Sequence, residues 1–247
     1  MMVETVRIQE EEKDDGIVII LADRSYLYRL FQRIFGDAPT LELLQIISNH
    51  YMREAIELYI EDHNEQHSRE YLEVLHTLKT IDQQTLDHVK DEYTHLLVGP
   101  NKLPAPPWES VYINKERMIF QDSTLKVRQA YLKYGLLPAN YPHEADDHLA
   151  LELDFMLHLS SLLLEKYEQM QVGSMCITGN TDTDEIKKLI DDQQAFLDEH
   201  LLVWVGSFAE QIQHGQTQIF YPQMALLLEQ LIKADRQVLT EISAAIG

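Results

Sequence analysis

The sequence GPNKLPAPPWESVY, residues 99–112, separates two long runs of helical pattern. It holds Pro100, Pro104, Pro106 and Pro107, and Trp108 follows them directly. Proline lacks an amide donor and restricts the residue before it, so the whole stretch is predicted not to be helical. Loops of this length in compact domains are usually functional or disordered. Because a disordered linker would leave Trp108 in water, we expect an ordered and packed loop.

Outward from this loop, apolar residues recur at helical spacing on both sides. The pattern predicts helices from residue 25 to about 34, then at 41–59, 71–78, 86–96, 123–134, 145–170, 183–196, 201–212, and from 221 onward. The segment 145–170 carries two apolar stripes on different faces, which is typical of a central helix with neighbours on both sides. Strand propensity is confined to 17–21, and the conformation of that segment is left open.

These patterns predict an all-α fold, a single helical-bundle-like domain of about ten helices over residues 17–247. Residues 1–16 are predicted to form an acidic, flexible tail. A second break with two prolines follows Gly135. The alternative architecture is therefore two lobes joined by a hinge near 141–147.

The charge balance restricts the class of partner. The chain has 41 acidic and 20 basic side chains and a formal net charge of −21. Such a surface repels phosphate backbones, which argues against nucleic acid and favours a cationic partner. Cys176 is the single cysteine, so one chain cannot form a disulfide or a thiolate metal site. The N-terminal sequence does not resemble a signal peptide and the apolar runs are short, so we expect a cytoplasmic protein without membrane insertion.

The densest group of chemically active side chains is PHEADDH, residues 142–148, followed by Glu152 and Asp154. If a helix begins near Glu144, then Glu144, His148 and Glu152 stack on one face. Acids at a helix start can simply oppose the macrodipole. Three alternatives stay open: a metal site, an acid–base pair in which carboxylates raise the pKa of His148, and an acidic pocket for a cation. Trp108 and Tyr112 could supply an aromatic face to such a pocket.

Three sequence motifs resemble the TorD-like family of redox-enzyme maturation chaperones, which includes the TorD, DmsD and NarJ groups. They are EYTHLLVGP at 92–100, APPWESVY at 105–112 and EADDHLALELDFM at 144–156. The segments WVGSFAEQI at 204–212 and FYPQMALLL at 220–228 look like the last helices of that family. The resemblance covers roughly residues 25–235, with the motifs in the family's order.

The resemblance implies an all-helical cytoplasmic chaperone and not an enzyme. Its partner would be the catalytic subunit of a molybdoenzyme, bound through a twin-arginine signal peptide or an equivalent N-terminal segment. The chaperone would hold that subunit until its molybdopterin cofactor is inserted, and would carry no cofactor itself. Some members are reported to bind guanine nucleotides, although this chain has no P-loop.

The family signature Glu-Pro-x-Asp-His falls on residues 144–148, where Ala145 replaces the proline. The predicted peptide-binding residues are Trp108, Tyr112, Glu144, Asp147, His148 and Glu152. The predicted structural residues are Gly99, Pro100, Pro107, Glu109 and Ser110. The three acids would face the two arginines of the peptide and His148 would orient them. Trp108 and Tyr112 would line the pocket or brace the loop.

The alternative function is a metal- or nucleotide-dependent hydrolase that uses the cluster at 144–148. The sequence leaves three properties of a chaperone open. They are the identity of the client, whether the client is exported, and whether the chaperone is a monomer or a domain-swapped dimer.

Overall fold

Eleven α-helices make up the part of the chain that the computed structural model describes, which is residues 2–60, 65–99, 102–113, 122–139, 145–173, 181–214 and 220–246. They are α1 (Met2–Gly36), α2 (Leu41–Ile47), α3 (His50–Ile60), α4 (Glu65–Thr77), α5 (Gln83–Tyr93), α6 (Glu109–Ile113), α7 (Asp122–Lys133), α8 (Leu149–Gly173), α9 (Thr181–Phe196), α10 (Leu202–Gln213) and α11 (Phe220–Ile246). Single π-helical turns, Thr94–Val98 and Leu197–Leu201, follow α5 and α9. The all-α prediction is confirmed.

Helix α1 begins earlier than the sequence pattern suggested. Residues 2–16, predicted to be a flexible tail, form the first turns of α1, and 17–21 continue it. The β-branched residues of 17–21 are helical because tertiary burial outweighs strand propensity. Ile17 and Leu21, one turn apart, are 7% and 0% exposed.

The predicted helix at 41–59 is two helices, because a side chain in its middle caps a new start. Thr40 caps α2 as its hydroxyl accepts from the Leu43 amide at 3.1 Å. Asn49 then accepts from the Met52 amide at 3.0 Å and caps α3. An asparagine that satisfies a free amide at a helix start stabilises a break at that point.

The centre of the molecule is α8, which packs along α1 on one side and α9 on the other, as its two apolar stripes predicted. Helix α11 packs against α4 and α10. Buried apolar side chains form one cluster that extends from Ile17 to Ile242, which favours a single domain over the two-lobe alternative. Within the described ranges, no helix is both long and apolar enough to cross a bilayer.

A fully buried ion pair joins the first and last helices. Arg24 donates through Nε and Nη2 to the carboxylate of Asp235, at 2.5 and 2.9 Å. The Tyr28 hydroxyl donates to the same carboxylate at 2.6 Å, and Gln193 of α9 accepts from Arg24 at 2.8 Å. The helical spacing of apolar residues gave no sign of this pair, because it lies on the buried side of α1 among them.

Candidate functional site

The proline loop and the segment before α8 run antiparallel and hydrogen-bond to each other. The Leu149 amide donates to the Pro107 carbonyl at 2.9 Å, and the Glu109 amide donates to the Asp147 carbonyl at 3.0 Å. Between these bonds Trp108 pairs with His148 as an isolated β-bridge. Because the pairing holds residues 146–148 out of helical geometry, α8 begins at Leu149. The predicted helix start near residue 145 is therefore wrong.

Asp147 is fully buried and fastens three segments together. One carboxylate oxygen accepts from the Ser110 amide at 2.8 Å, and the other accepts from the Thr124 hydroxyl at 3.0 Å. The first bond caps α6 and the second holds the first turn of α7. This cap explains why residues 109–113 form a short helix although 99–112 was predicted to contain none. The last proline precedes the helix, so its donors are intact.

The adjacent Asp146, also fully buried, holds α7 through two contacts. Its Oδ2 accepts from Arg128 Nη2 at 2.6 Å and from Nε at 3.1 Å. Its carbonyl accepts from the Tyr131 hydroxyl at 2.9 Å. Sequence reasoning assigned Asp146 to helix-dipole compensation and did not predict Arg128. The structure makes this ion pair the anchor of α7 against the segment before α8.

Trp108 and His148 form the solvent-facing part of this junction, since both are half-buried while their neighbours Asp147 and Glu109 are inaccessible. Their rings meet edge to face, with centroids 5.3 Å apart. The Ala150 amide donates to His148 Nδ1 at 3.1 Å, which fixes the orientation of the imidazole. The pair presents an aromatic surface of defined geometry.

His148 is neutral at pH 7. Burial lowers its pKa to about 4, and the charge of Asp147 only partly opposes that effect. The alternative in which carboxylates raise the pKa of His148 for acid–base work is therefore wrong. Because Nδ1 accepts a hydrogen bond, the neutral ring carries its proton on Nε2 and can donate it to a partner.

A second buried layer of polar side chains lies beneath the loop. Trp204 Nε1 donates to Glu152 at 3.1 Å, and His200 Nδ1 lies 2.9 Å from a carboxylate oxygen of Glu109. Burial and then the charge of Glu109 raise the pKa of Glu152 well above its usual value. A neutral Glu152 can donate to Glu109, whose side chain is within hydrogen-bonding reach.

His200 is the member of this layer that sequence reasoning did not single out. It lies on the π turn Leu197–Leu201, one residue before the end of that turn. A π turn inserts an extra residue and rotates the side chains that follow, and such turns often occur at functional sites. No sequence pattern marks a π turn, so the Glu109–His200 contact was not predictable.

Tyr112 points away from solvent and braces the loop. Its ring stacks on Trp204 with centroids 5.3 Å apart and an interplanar angle of 30°. The Gln211 side chain of α10 donates to the Pro104 carbonyl at 2.5 Å and holds the loop from the same direction. Of the two roles weighed for Tyr112, the structure supports bracing.

Of the remaining predicted residues, three have a structural role and two lie outside the part of the chain that the structure describes. Gly99 ends the π turn Thr94–Val98 with a φ of 82°, a left-handed conformation that favours glycine. Pro107 and Ser110 contribute only backbone groups to the contacts described above. Pro100 and Glu144 lie outside the described residues.

An apolar cavity of about 330 Å³ opens along α8, and its lining on that helix begins at Leu151, three residues after His148. Leu151, whose amide donates to the His148 carbonyl at 2.8 Å, is one of its walls. Leu136, Leu137, Pro138 and Phe155 add further apolar walls. Its polar lining includes Ser161 and the exposed Asp154 and His158. The cavity thus places one accessible carboxylate beside an apolar surface.

The sequence model of the nitrate reductase delta subunit family matches residues 61–210 of this chain. A Haemophilus influenzae protein named probable Tat proofreading chaperone DmsD is 29% identical over 147 residues, which are 60% of each chain. That match thus spans less than two thirds of the relative. The chaperone protein TorD of a Psychrobacter species, strain PRwf-1, is 27% identical over 230 residues, or 90% of this chain and 94% of the relative.

A third relative is the chaperone protein TorD of Photobacterium profundum, which is 26% identical over 163 residues, or 65% of this chain and 68% of that protein. All three relatives are named as chaperones, which confirms the prediction of a non-enzyme over the hydrolase alternative. Since the family match covers more than half of the 247 residues, the chain belongs to the nitrate reductase delta subunit family and to its TorD-like redox-enzyme maturation proteins.

Proposed function

We propose that this protein is a cytoplasmic assembly chaperone for the catalytic subunit of a molybdopterin-containing oxidoreductase. It binds the twin-arginine signal peptide, or an equivalent N-terminal segment, and holds the subunit for cofactor insertion before export. The observation that supports this function most directly is the half-buried Trp108–His148 pair, the solvent-facing part of the junction before α8, together with the apolar cavity along α8. The names of the relatives, which include Tat proofreading chaperones, agree with it.

The two arginines of the peptide need an aromatic face, hydrogen-bond acceptors and an acidic environment. Trp108 is accessible and offers its ring for cation–π contact with a guanidinium. Asp154 is accessible on the neighbouring turns of α8 and can pair with a guanidinium through two hydrogen bonds. Glu144, which lies outside the described residues, stays a predicted arginine contact.

Asp147 and Glu152, predicted as direct arginine contacts, take a different part in this proposal. Both are fully buried, and their oxygens serve Ser110 and Trp204. They act as positioning residues that hold the loop and the head of α8 in register. The Nε2 proton of His148 is the donor available to a carbonyl of the bound peptide.

The apolar part of a signal peptide follows its arginines, and the cavity along α8 has the matching character. Its leucine and proline walls can take one or two apolar side chains, and Asp154 adds a carboxylate to the same lining. A carboxylate together with apolar walls suits a peptide in which cationic residues precede apolar ones.

Calorimetric titration with a synthetic twin-arginine signal peptide tests the proposal, with a twin-lysine peptide as control. Lysine keeps the charge but loses the bidentate fork, so we expect roughly tenfold weaker binding. Trp108→Ala and Asp154→Asn should each weaken the twin-arginine peptide by about tenfold. Asp191→Asn, which changes another exposed helical aspartate, serves as the matched control and should have no effect.

Equal, weak binding of both peptides that fades with added salt would mean attraction to an acidic surface only. Saturable binding that is unaffected by Trp108→Ala and Asp154→Asn would place the peptide elsewhere on the protein. Either result would refute the assignment to this surface.

A further inference from the structure

A second groove, which shares no lining residue with the proline-loop site, runs between α1 and α3. Its volume is about 730 Å³. The side chains that give it its character are Ile19, Asp23 and Tyr26 of α1 and Tyr51, Glu54 and Leu58 of α3. Helix α1 is held mainly by α8 and contacts α3 much less.

Large apolar side chains are exposed along this groove to an unusual degree. Ile19, Tyr51 and Leu58 are 56%, 62% and 53% exposed. Scattered exposed apolar residues are normal on a monomer, whereas a contiguous set around a concave surface indicates a contact site. The groove therefore offers apolar area that a partner could bury.

Two carboxylates, Asp23 and Glu54, lie in the same groove. Both line the groove, and burial and then the charge of Glu54 raise the pKa of Asp23. Neither forms an ion pair with another described residue. The buried hydroxyl of Tyr26 has no hydrogen-bond partner among the described atoms. A cation placed between the acids would relieve their repulsion.

The spacing of these residues defines the shape of the occupant. On α1 the groove residues are 19, 23 and 26, and on α3 they are 51, 54 and 58, so both helices present one face over two turns. Seven residues of α-helix rise by about 10 Å, so each wall is long enough to contact two turns of a third helix. Such a groove suits an amphipathic helix.

Charge decides between the candidate partners. A second copy of this chain also carries a net charge of −21 and would bring further acids to an acidic groove. We propose that the α1–α3 groove binds an amphipathic helix of a partner protein that carries one arginine or lysine among its apolar side chains. This site is separate from the proline loop, so the inference goes beyond the function proposed above.

Fluorescence anisotropy with a designed peptide tests this inference. The probe is a labelled amphipathic helix of about 14 residues, roughly four turns, with leucines on one face and one central arginine. A second peptide has citrulline, the neutral isostere, in place of the arginine. The full-length protein should bind the arginine peptide saturably and the citrulline peptide about tenfold more weakly.

The variants locate the site. The double variant Asp23→Asn with Glu54→Gln should bind the arginine peptide about tenfold more weakly than the parent protein does. Its affinities for the arginine and citrulline peptides should be equal. Leu58→Ser should weaken the binding of both peptides to a similar degree. The matched controls are Leu72→Ser, at 52% exposure, and Asp191→Asn with Glu199→Gln, which are exposed acids on other segments; these should bind as the parent does.

Trp108→Ala should leave binding of the designed peptide unchanged, so failure of the proline-loop assignment and failure of this one give different results. The inference is overturned if the double variant still distinguishes arginine from citrulline, or if the designed peptide does not bind. A protein dimer that Leu58→Ser converts to monomer in sedimentation would show that a second copy occupies the groove, and would also overturn it.

Discussion

The carboxylate of Asp147 accepts a hydrogen bond from the backbone amide of Ser110 at 2.8 Å, in the buried interior and across 37 positions of sequence. A helix start that belongs to the proline loop is thus capped by a residue that precedes α8. Separation of the loop from α8 would break this buried hydrogen bond. Asp147 therefore stabilises the fold directly and affects peptide binding only indirectly.

Asp147→Ala should lower the free energy of unfolding by about 1–3 kcal/mol, because it leaves the Ser110 amide and the Thr124 hydroxyl without their acceptor. Asp147→Asn keeps one acceptor oxygen and should cost less. Urea unfolding followed by circular dichroism measures both changes. The native helicity of both variants should persist. If alanine and asparagine cost the same, the cap is not the source of the stability.

The His148 ring should make stability depend on pH on the acidic side. Its pKa in the folded protein is lowered to about 4 from the usual 6.5, so the unfolded chain binds a proton first as pH falls. Stability is therefore lost between pH 6.5 and about 4. His148→Asn can keep an acceptor for the Ala150 amide and should flatten this part of the profile. Denaturant midpoints at four pH values would show whether the two profiles diverge.

Glu152 should produce the opposite dependence. Its pKa in the folded protein is raised well above the usual 4.5, so its contribution to stability is complete below that value and is lost as pH rises through the folded pKa. Each pH unit within this window corresponds to about 1.4 kcal/mol for a buried carboxyl. Glu152→Gln stays neutral, so it should gain stability relative to the parent as the pH rises above 4.5. A difference that does not change with pH would contradict the assignment.

Breaking the buried pair of Arg24 and Asp235 should cost much more than breaking a surface pair. Arg24→Met leaves a buried charge without its partner and should cost about 3–5 kcal/mol. The control is Arg53→Met, since Arg53 and its partner Glu57 are 58% and 42% exposed and such pairs contribute about 0–1 kcal/mol. Urea unfolding of both variants decides the matter, and equal losses would count against the ion-pair assignment.

The helical class and the central position of α8 were predictable because burial follows periodicity. Apolar residues at three- and four-residue spacing define which helix faces enter the core, and this needs no knowledge of tertiary contacts. The break at Asn49 shows where that reasoning stops. The apolar stripe of residues 41–59 continues through this break. Only the hydrogen bond from the Met52 amide to the Asn49 side chain shows that there are two helices.

The peptide-binding site stays a prediction, whereas the placement of its residues can be compared with the structure. Residues 147–149 of the motif region meet the loop at Trp108. Sequence spacing placed Glu152 on the same helix face as His148 and in contact with a peptide, whereas the structure leaves the Glu152 carboxyl fully buried and His148 half-buried. Which side chains near a helix start point inward depends on the contacts that the preceding segment makes with the rest of the protein. Such tertiary contacts are not visible in the sequence.

The second groove could not be predicted, because its two acids come from helices whose patterns are each unremarkable. Asp23 and Glu54 look like ordinary solvated charges in the sequence. Only the position of α1 beside α3 brings them together with Tyr51 and Leu58.

The Arg24–Asp235 contact also has a consequence for the order of events during synthesis. The guanidinium belongs to the first helix, and its counter-ion belongs to α11, which the ribosome makes last among the described helices. Until α11 emerges, Arg24 cannot enter the core without the penalty of an unpaired buried charge. Burial of Arg24 during translation is therefore unfavourable until the last of these helices supplies its counter-ion.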